Sequence, residues 1–279
     1  MIPKEFSVEG KVAIVTGGGR GIGKAIALTL AEAGADVTVV ARTAEQIEQT
    51  AKEIRQLGRK SLAIAMDVTK EDQVKEAVEQ TISQFGKVDI LVNNAGIGSP
   101  WKPIAFITGA RFPGWELAGD TWNEQITPEE WHQVIDTNLT STFLFAQAVG
   151  PHMLRQKKGK VINISSNSAE LGTQYQAAYC VSKAALSSFT RCLASEWAPY
   201  NICVNAIGPG NTKTEMVAQV VRDNPAIEKV LLDAVPAGRM GETREIALLA
   251  LCLASEASDF VNGQTVYIDG GQLGRGAGI

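Results

Sequence analysis

Tyr179 and Lys183 stand four residues apart in the chain. On a helix this spacing places both side chains on one face, one turn apart. A free tyrosine has a pKa of about 10, and a nearby ammonium group favours the phenolate and lowers that pKa. Such a pair can exchange a proton with an alcohol or a ketone near neutral pH. Because the same spacing occurs on ordinary solvated helices, its meaning depends on whether other residues build a redox site around it.

A glycine-rich stretch follows the first β-rich run of the chain, residues 12–15. Glycines let backbone N–H groups approach a pyrophosphate, which then rests on the positive N-terminus of the following helix. The pattern is Gly-x-x-x-Gly-x-Gly, and the strict Gly-x-Gly-x-x-Gly fingerprint fits no register. Its position between a strand and a helix therefore carries the prediction of a dinucleotide site. The predicted contacts are Gly17, Gly19, Arg20, Gly21, Ile22 and Gly23.

The end of the second β-rich run selects the dinucleotide. An acidic residue there would bind the ribose 2′-hydroxyl of NAD, whereas an arginine can bind the additional phosphate of NADP. The sequence at this end is Ala41-Arg42-Thr43, without an acid, and Asp36 lies at the opposite end of the run. Arg42 and Arg20 offer two guanidinium groups, although either could simply keep the surface soluble. The sequence predicts NADP as the cofactor.

Short β-rich runs alternate with helical stretches along nearly the whole chain. This alternation predicts an α/β protein with a parallel sheet covered by helices on both faces. Since no proline- or serine-rich linker interrupts it, residues 1–279 are predicted to form one domain. Strands are expected at residues 11–16, 37–40, 61–66, 88–92, 160–165, 202–206 and 265–268, and helices at 22–33, 45–57, 71–85, 129–153, 177–198 and 242–254.

Composition argues against several classes of function. The net charge of −4 gives no electrostatic reason to expect nucleic acid or an anionic membrane as a partner. The four cysteines form no Cys-x-x-Cys pair and the chain has two histidines, which argues against a metal site. No apolar run approaches the length that spans a bilayer. A cytoplasmic protein with reduced, buried thiols is expected.

The motifs together resemble those of the short-chain dehydrogenases/reductases, in particular compact members similar to 3-oxoacyl carrier-protein reductases. The resemblance extends over nearly all of residues 10–271 and implies a single-domain, Rossmann-like, doubly wound parallel sheet. The motifs that carry it are Thr16-Gly17-x-x-x-Gly21-x-Gly23, Asn93-Asn94-Ala95-Gly96, Ser166 with Tyr179-x-x-x-Lys183, Pro209-Gly210 with Thr214, Val261-Asn262-Gly263-Gln264 and Asp269-Gly270-Gly271.

The resemblance implies four catalytic roles. Tyr179 would act as the general acid in reduction and the base in oxidation, and Lys183 would lower its pKa and hold the nicotinamide ribose. Ser166 would hold the substrate oxygen, and Asn138 would bind a water that joins Lys183 to solvent. Hydroxyl donors suit this task because hydride transfer develops an alkoxide. Alternatively, Asn138 could only bend its helix, and Ser166 could bond only its own backbone.

Further residues are implied to contact the cofactor. Asp67 and Val68 end the third strand and would contact adenine. Thr214 would contact the carboxamide or the phosphates. Residues 211–240 would be the mobile substrate loop of the family. The other implied contacts are Asn94, Ala95, Gly96, Tyr179, Lys183, Pro209, Gly210 and Thr212, of which Thr212 replaces a commonly aliphatic residue.

One segment departs from the family pattern. Asn94 and Asn138 are 44 residues apart (138 − 94), which is longer than usual in the family and predicts an inserted loop at about 97–127. The loop would leave the carboxyl end of the fourth strand, where open α/β sheets bind ligands. It could serve as a substrate lid, as a subunit contact or as a mobile decoration. Its aromatic residues are Trp101, Phe106, Phe112, Trp115 and Trp122.

The predicted function is metal-free hydride transfer between NADP(H) and a small secondary alcohol or ketone, by a homotetramer. One alternative is a 3-oxoacyl carrier-protein reductase, which would need a basic docking patch for its acidic partner. The candidate patch is Arg155, Lys157, Lys158 and Lys160, unless these residues only solvate a helix end. The alternative of another class is a regulatory protein that senses NADP without turnover.

Overall fold

Seven parallel strands form one central sheet in the order β3-β2-β1-β4-β5-β6-β7. The structure, a computed structural model, describes residues 3–105, 124–223 and 225–275. Parallel strands covered on both faces need continuous apolar runs, and β1, β4, β5 and β6 are buried at every position. The strands are β1 (Val12–Thr16), β2 (Asp36–Ala41), β3 (Ser61–Ala65), β4 (Ile90–Asn93), β5 (Gly159–Ile164), β6 (Ile202–Pro209) and β7 (Thr265–Ile268).

Helices cover both faces of the sheet and create two apolar clusters. One cluster includes Ile26 and Ile246, and the other includes Val78 and Phe145. The strand order reverses between β1 and β4, so a crevice opens at their carboxyl ends. The predicted doubly wound α/β fold is confirmed. The helices are α1 (Gly21–Glu32), α2 (Ala44–Gln56), α3 (Glu71–Phe85), α4 (Pro128–Ile135), α5 (Ser141–Gln156), α6 (Ala177–Trp197), α7 (Glu215–Asp223), α8 (Ala226–Asp233) and α9 (Thr243–Ala254).

Two predicted elements are wrong in detail. The helix expected over 129–153 is interrupted by a π-helical turn, Asp136–Thr140, which separates α4 from α5. Such turns are rare and often lie at functional sites. The stretch 211–240 was expected to be a loop, but it contains α7 and α8, whose apolar residues recur at helical spacing.

The inserted loop is described only at its two ends. Residues 106–123 lie outside the described residues and include Phe106, Phe112, Trp115 and Trp122, on which the lid and subunit-contact interpretations depend. At its base, Ile126 N donates to the Pro103 carbonyl (2.9 Å), and Lys102 Nζ lies 2.7 Å from Glu130 Oε1. Gln176 Nε2 donates to the Ser99 carbonyl (3.1 Å). The base of the loop is therefore attached to the residue that precedes α6.

The four cysteines are free thiols, but they are not all buried. Cys203 is buried, whereas Cys192 is exposed on α6, so the expectation of uniformly buried thiols is wrong. Within 3–105, 124–223 and 225–275, no helix is long and apolar enough to cross a membrane. In the same ranges, no group of three or more His, Cys, Asp or Glu side chains is placed to hold a metal ion.

Candidate active site

The glycine-rich turn lies between β1 and α1 and packs closely against Asn94. Gly17 has a φ of 65°, a conformation that favours glycine. Asn94 Nδ2 donates to the carbonyls of Thr16 (2.9 Å) and Gly17 (3.2 Å). A Cβ on Gly23 would lie 2.3 Å from both Asn94 Nδ2 and the Gly17 oxygen. The glycines thus let α1 begin directly beneath the turn, with its first N–H groups turned toward the crevice.

Gly23→Ala should abolish tight dinucleotide binding. The added methyl group must push Asn94 and the turn apart, because neither backbone nor amide can remain 2.3 Å from a carbon atom. We expect the Kd for the predicted dinucleotide to rise by about two orders of magnitude, equivalent to roughly 2–3 kcal/mol. Nucleotide titration by fluorescence measures the change. Gly274→Ala is the control, since no atom lies within 4 Å of a Cβ there and its φ is not in the left-handed region. An unchanged Kd in Gly23→Ala would contradict this account of the turn.

Thr16 joins the ends of β1 and β4. Its Oγ1 accepts hydrogen bonds from the N–H groups of Asn94 (3.0 Å) and Ala95 (2.9 Å). Gly96 follows, and a Cβ there would lie 3.3 Å from Asn138 Oδ1 and 3.5 Å from Lys183 Nζ. This glycine therefore lets the backbone that follows β4 lie close to Asn138 and Lys183.

Tyr179 and Lys183 lie in the first two turns of α6. Lys183 Nζ is 5.7 Å from the centre of the Tyr179 ring and donates to the Ile164 carbonyl (2.8 Å). The Lys183 side chain is only 4% exposed, and burial lowers its pKa to about 8. Its charge is therefore held inside the protein at a free-energy cost, which is typical of functional lysines.

The expectation that Tyr179 has a lowered pKa is wrong in this structure. Burial raises the pKa of the phenol, and the hydrogen bond with the Ser166 side chain offsets this only in part. The Lys183 cation, 5.7 Å from the ring centre, does not outweigh the loss of solvation. Tyr179 is consequently a neutral phenol near pH 7, which suits it to donate a proton.

Ser166 begins the short turn Asn167–Ala169 at the end of β5. Its Oγ accepts a hydrogen bond from Ser168 N (3.1 Å), so the backbone contact considered as an alternative is present. The same hydroxyl also bonds Tyr179. Ser165 instead donates to the Lys183 carbonyl (3.0 Å) within the core. Of these two serines, only Ser166 combines a backbone contact with one to the tyrosine.

Asn138 lies buried in the π-helical turn. Its Oδ1 accepts from Ile97 N (2.8 Å), and its Nδ2 donates to the Ile97 carbonyl (3.0 Å) and to Ser182 Oγ (3.1 Å). The side chain thus fixes the first residue after Gly96 and does not line the crevice. Its place in a distorted turn agrees with the helix-bending alternative, and its water-binding role stays a prediction.

A crevice of about 340 Å³ joins the glycine turn to Tyr179. A larger groove of about 1140 Å³ lies between α1 and α7, but Ser166, Tyr179 and Lys183 do not line it. The predicted site residues that line the crevice are Gly17, Gly19, Arg20, Gly21, Ile22, Gly23, Arg42, Val68, Asn94, Ala95, Gly96, Ser166, Tyr179, Lys183, Pro209, Gly210, Thr212 and Thr214.

Two predicted site residues, Asn138 and Asp67, are absent from this lining, and several lining residues were not predicted. Asp67 bonds the N–H (3.0 Å) and hydroxyl (2.8 Å) of Thr69, because short acidic side chains readily close such turns. Thr43 and Gln46 follow Arg42 at the start of α2 and could have been found from that position. Met216 could have been found only by recognising α7 as a helix.

Comparison with known proteins decides the family. The family model for short chain dehydrogenase matches residues 11–225. The 5-keto-D-gluconate 5-reductase of Escherichia coli strain K12 is 38% identical over 96% of this chain and 97% of its own length. The 3-oxoacyl-(acyl-carrier-protein) reductase of Staphylococcus epidermidis is 38% identical over 94% of this chain and 98% of its own length. The chain is a short-chain dehydrogenase/reductase.

A solved structure extends the comparison to the fold. The complex of 7α-hydroxysteroid dehydrogenase with NADH and 7-oxo glycochenodeoxycholic acid has a TM-score of 0.85 to this chain, at 35% identity. The structural match covers 97% of this chain and 97% of the 7α-hydroxysteroid dehydrogenase chain. This short-chain dehydrogenase/reductase is thus an oxidoreductase that transfers hydride between a nicotinamide cofactor and an alcohol or ketone. The glycine turn fits such a cofactor, since Gly17, Gly19, Gly21 and Gly23 line the crevice without side chains and α1 begins there without a side-chain cap.

The basic patch considered for carrier-protein docking loses one of its four residues in the structure. Lys160 is buried, 2.8 Å from Asp259 Oδ1 and 3.3 Å from Ser258 Oγ. Lys158 lies 2.8 Å from Glu256 Oε1. Because one lysine is inside the protein and another is paired, this dehydrogenase/reductase presents less positive charge here than its sequence suggests.

Proposed function

We propose that this protein reduces a small-molecule ketone with NADPH, using Tyr179 as the proton donor. The observation that carries the proposal is the meeting of Tyr179, Ser166 and Lys183 at one end of the crevice, beyond the glycine turn. The bound nicotinamide would supply the hydride, and the chain supplies position and protons. The first N–H groups of α1, at Gly21 and Ile22, would hold its pyrophosphate and Lys183 its ribose.

The residues act in a defined order on the substrate oxygen. Ser166 donates a hydrogen bond to the carbonyl oxygen and holds it beside the Tyr179 hydroxyl. As negative charge develops on that oxygen, Tyr179 donates its proton. The Lys183 ammonium then stabilises the phenolate left behind. In oxidation the phenolate takes the proton of the alcohol.

The groups at the adenosine end of the crevice support the proposed preference for NADP. Arg20 and Arg42 are exposed, and neither side chain has a hydrogen bond or ion pair within the part of the chain that the structure describes. Thr43 precedes α2 without capping it through its side chain, so N–H groups of that helix stay available to an anion. Two guanidinium groups and a helix N-terminus suit a 2′-phosphate.

Arg42→Ala should weaken NADPH binding much more than NADH binding. Loss of a charge-assisted hydrogen bond to the 2′-phosphate should raise the Kd for NADPH by about tenfold or more. The Kd for NADH should stay within about twofold, because NADH has no phosphate there. Fluorescence titration with both nucleotides measures the ratio. Lys52→Ala removes an exposed positive charge elsewhere on α2 and is the control. Equal effects on both nucleotides would refute 2′-phosphate recognition.

The substrate can be tested among the chemistries of the relatives. We propose a soluble polar ketone, and 5-keto-D-gluconate is the first probe because a relative that is 38% identical carries that name. NADPH oxidation is followed with this ketone and with an acetoacetyl thioester. Turnover of the thioester alone would favour the carrier-protein reductase alternative. Nucleotide binding without turnover of any ketone in a wider panel would favour the sensing alternative.

We also propose that residues 1–279 work as one domain with an insertion at about 97–127, as a homotetramer in the cytoplasm. Exposed apolar side chains support self-association: Phe143 on α5 and Val181 on α6 are each 46% exposed. Four free thiols support a reducing compartment. Light scattering on the purified protein tests the oligomeric state.

A further inference from the structure

The turn that carries Ser166 is held by the segment that follows β7. Asn167 is buried, and its Nδ2 donates to Gln272 Oε1 (2.7 Å). The same amide packs against the backbone of Gly210, where a Cβ would lie 3.3 Å from Asn167 Nδ2. A residue 105 positions away in sequence therefore fixes the side chain next to Ser166.

The amide of Asn167 stands close enough to compete for the Ser166 proton. Ser166 Oγ lies 3.5 Å from Asn167 Oδ1, which is long for a hydrogen bond between oxygen atoms. The lone pair of Ser166 already accepts from Ser168 N (3.1 Å), so the hydroxyl has one proton left to donate. Ser166 can donate that proton either to Asn167 Oδ1 or to the Tyr179 hydroxyl and the substrate oxygen beside it. It cannot donate to both sides at once.

We propose that Gln272 is a positioning residue that holds the Asn167 carbonyl away from Ser166 and so reserves the Ser166 proton for the substrate oxygen. The Asn167–Gln272 hydrogen bond is short, at 2.7 Å. The competing Ser166–Asn167 contact, at 3.5 Å, is at the longest distance of a hydrogen bond. Without Gln272, the Asn167 amide can rotate so that its Oδ1 accepts a hydrogen bond of ordinary length from Ser166 Oγ. The inference rests on the proposed role of Ser166.

Gln272→Leu should lower kcat by about tenfold, the effect of losing one neutral hydrogen bond in the transition state. The KM for NADPH should stay within about twofold, because Gln272 does not line the crevice. Adding Asn167→Leu removes the competing acceptor, so the double variant should recover most of the lost kcat. A residue that merely supported the fold would give a further loss. The assay uses NADPH with the ketone turned over in the substrate panel.

A second readout needs no turnover. Since the Ser166 hydrogen bond lowers the pKa of Tyr179, diverting it should raise that pKa further in Gln272→Leu. Ultraviolet titration of tyrosinate, with the Tyr179→Phe spectrum subtracted, measures the shift. The double variant should return to the wild-type titration. Gln264→Leu is the matched control, because the side chain of that exposed glutamine donates to the nearby Asn262 carbonyl (3.1 Å) and does not contact Asn167.

Ser166→Ala separates this inference from the proposed function. If Ser166→Ala leaves kcat unchanged, the role of Ser166 is wrong and the inference falls with it. If Ser166→Ala lowers kcat but Gln272→Leu leaves both kcat and the tyrosine titration unchanged, only the inference is overturned. It is also overturned if Asn167→Leu fails to restore Gln272→Leu. In the Ser166→Ala background, Gln272→Leu should have no further effect.

Discussion

Tyr179→Phe should lower kcat for ketone reduction by about 10²- to 10⁴-fold, the usual contribution of a positioned general acid. The substitution removes one oxygen atom and keeps the ring, so the packing of α6 should remain. Burial keeps the phenol protonated near pH 7, Ser166 bonds it, and Lys183 Nζ lies 5.7 Å from its ring centre. Without the phenol oxygen, the developing alkoxide would keep the Ser166 hydrogen bond alone.

The same variant should bind NADPH within about twofold of the wild-type Kd, since a lost transition-state interaction leaves ground-state binding unchanged. Steady-state kinetics gives kcat, and fluorescence titration gives the Kd. Tyr200→Phe is the control: Tyr200 is exposed in the short turn after α6 and does not line the crevice. Turnover of Tyr179→Phe at the wild-type rate would eliminate the proposed proton donor.

Features set by local sequence could be predicted. The glycine turn could be predicted because its glycines follow a β-rich run and precede a helical stretch in the sequence. The sequence also predicted that Asp36 lies at the wrong end of the second strand to bind a ribose. In the structure it begins β2, accepts from Lys60 N (2.8 Å) and lies 3.3 Å from Arg59 Nε. A carboxylate that is bound at the start of β2 does not take part in cofactor binding.

Features set by distant packing could not be predicted. The sign of the Tyr179 pKa shift depends on how completely the surrounding elements exclude water, which the spacing of Tyr179 and Lys183 does not reveal. The π-helical turn at Asn138 accompanies bonds to Ile97, 41 residues earlier. The contact of Asn167 with Gln272 likewise joins residues 105 positions apart. Each requires the assembled fold.

Lys183→Met should lower turnover by about 100-fold or more, since it removes the charge that stabilises the Tyr179 phenolate. It should also change how stability depends on pH. Burial lowers the pKa of Lys183 from 10.5 to about 8 in the folded protein. Below pH 8 both states hold the proton, and the folded state bears the full cost of a buried ammonium.

Between pH 8 and 10.5 the unfolded chain keeps that proton while the folded protein has released it. The wild-type free energy of unfolding should therefore rise with pH relative to Lys183→Met, by up to about 1.4 kcal/mol per pH unit. Denaturant unfolding of both proteins at about pH 7, 8, 9 and 10 measures this difference. Lys52→Met, which removes an exposed lysine on α2, provides the baseline. A difference that stays constant over this range would show that Lys183 does not carry a strained charge, and the stabilisation assigned to its ammonium would then need another source.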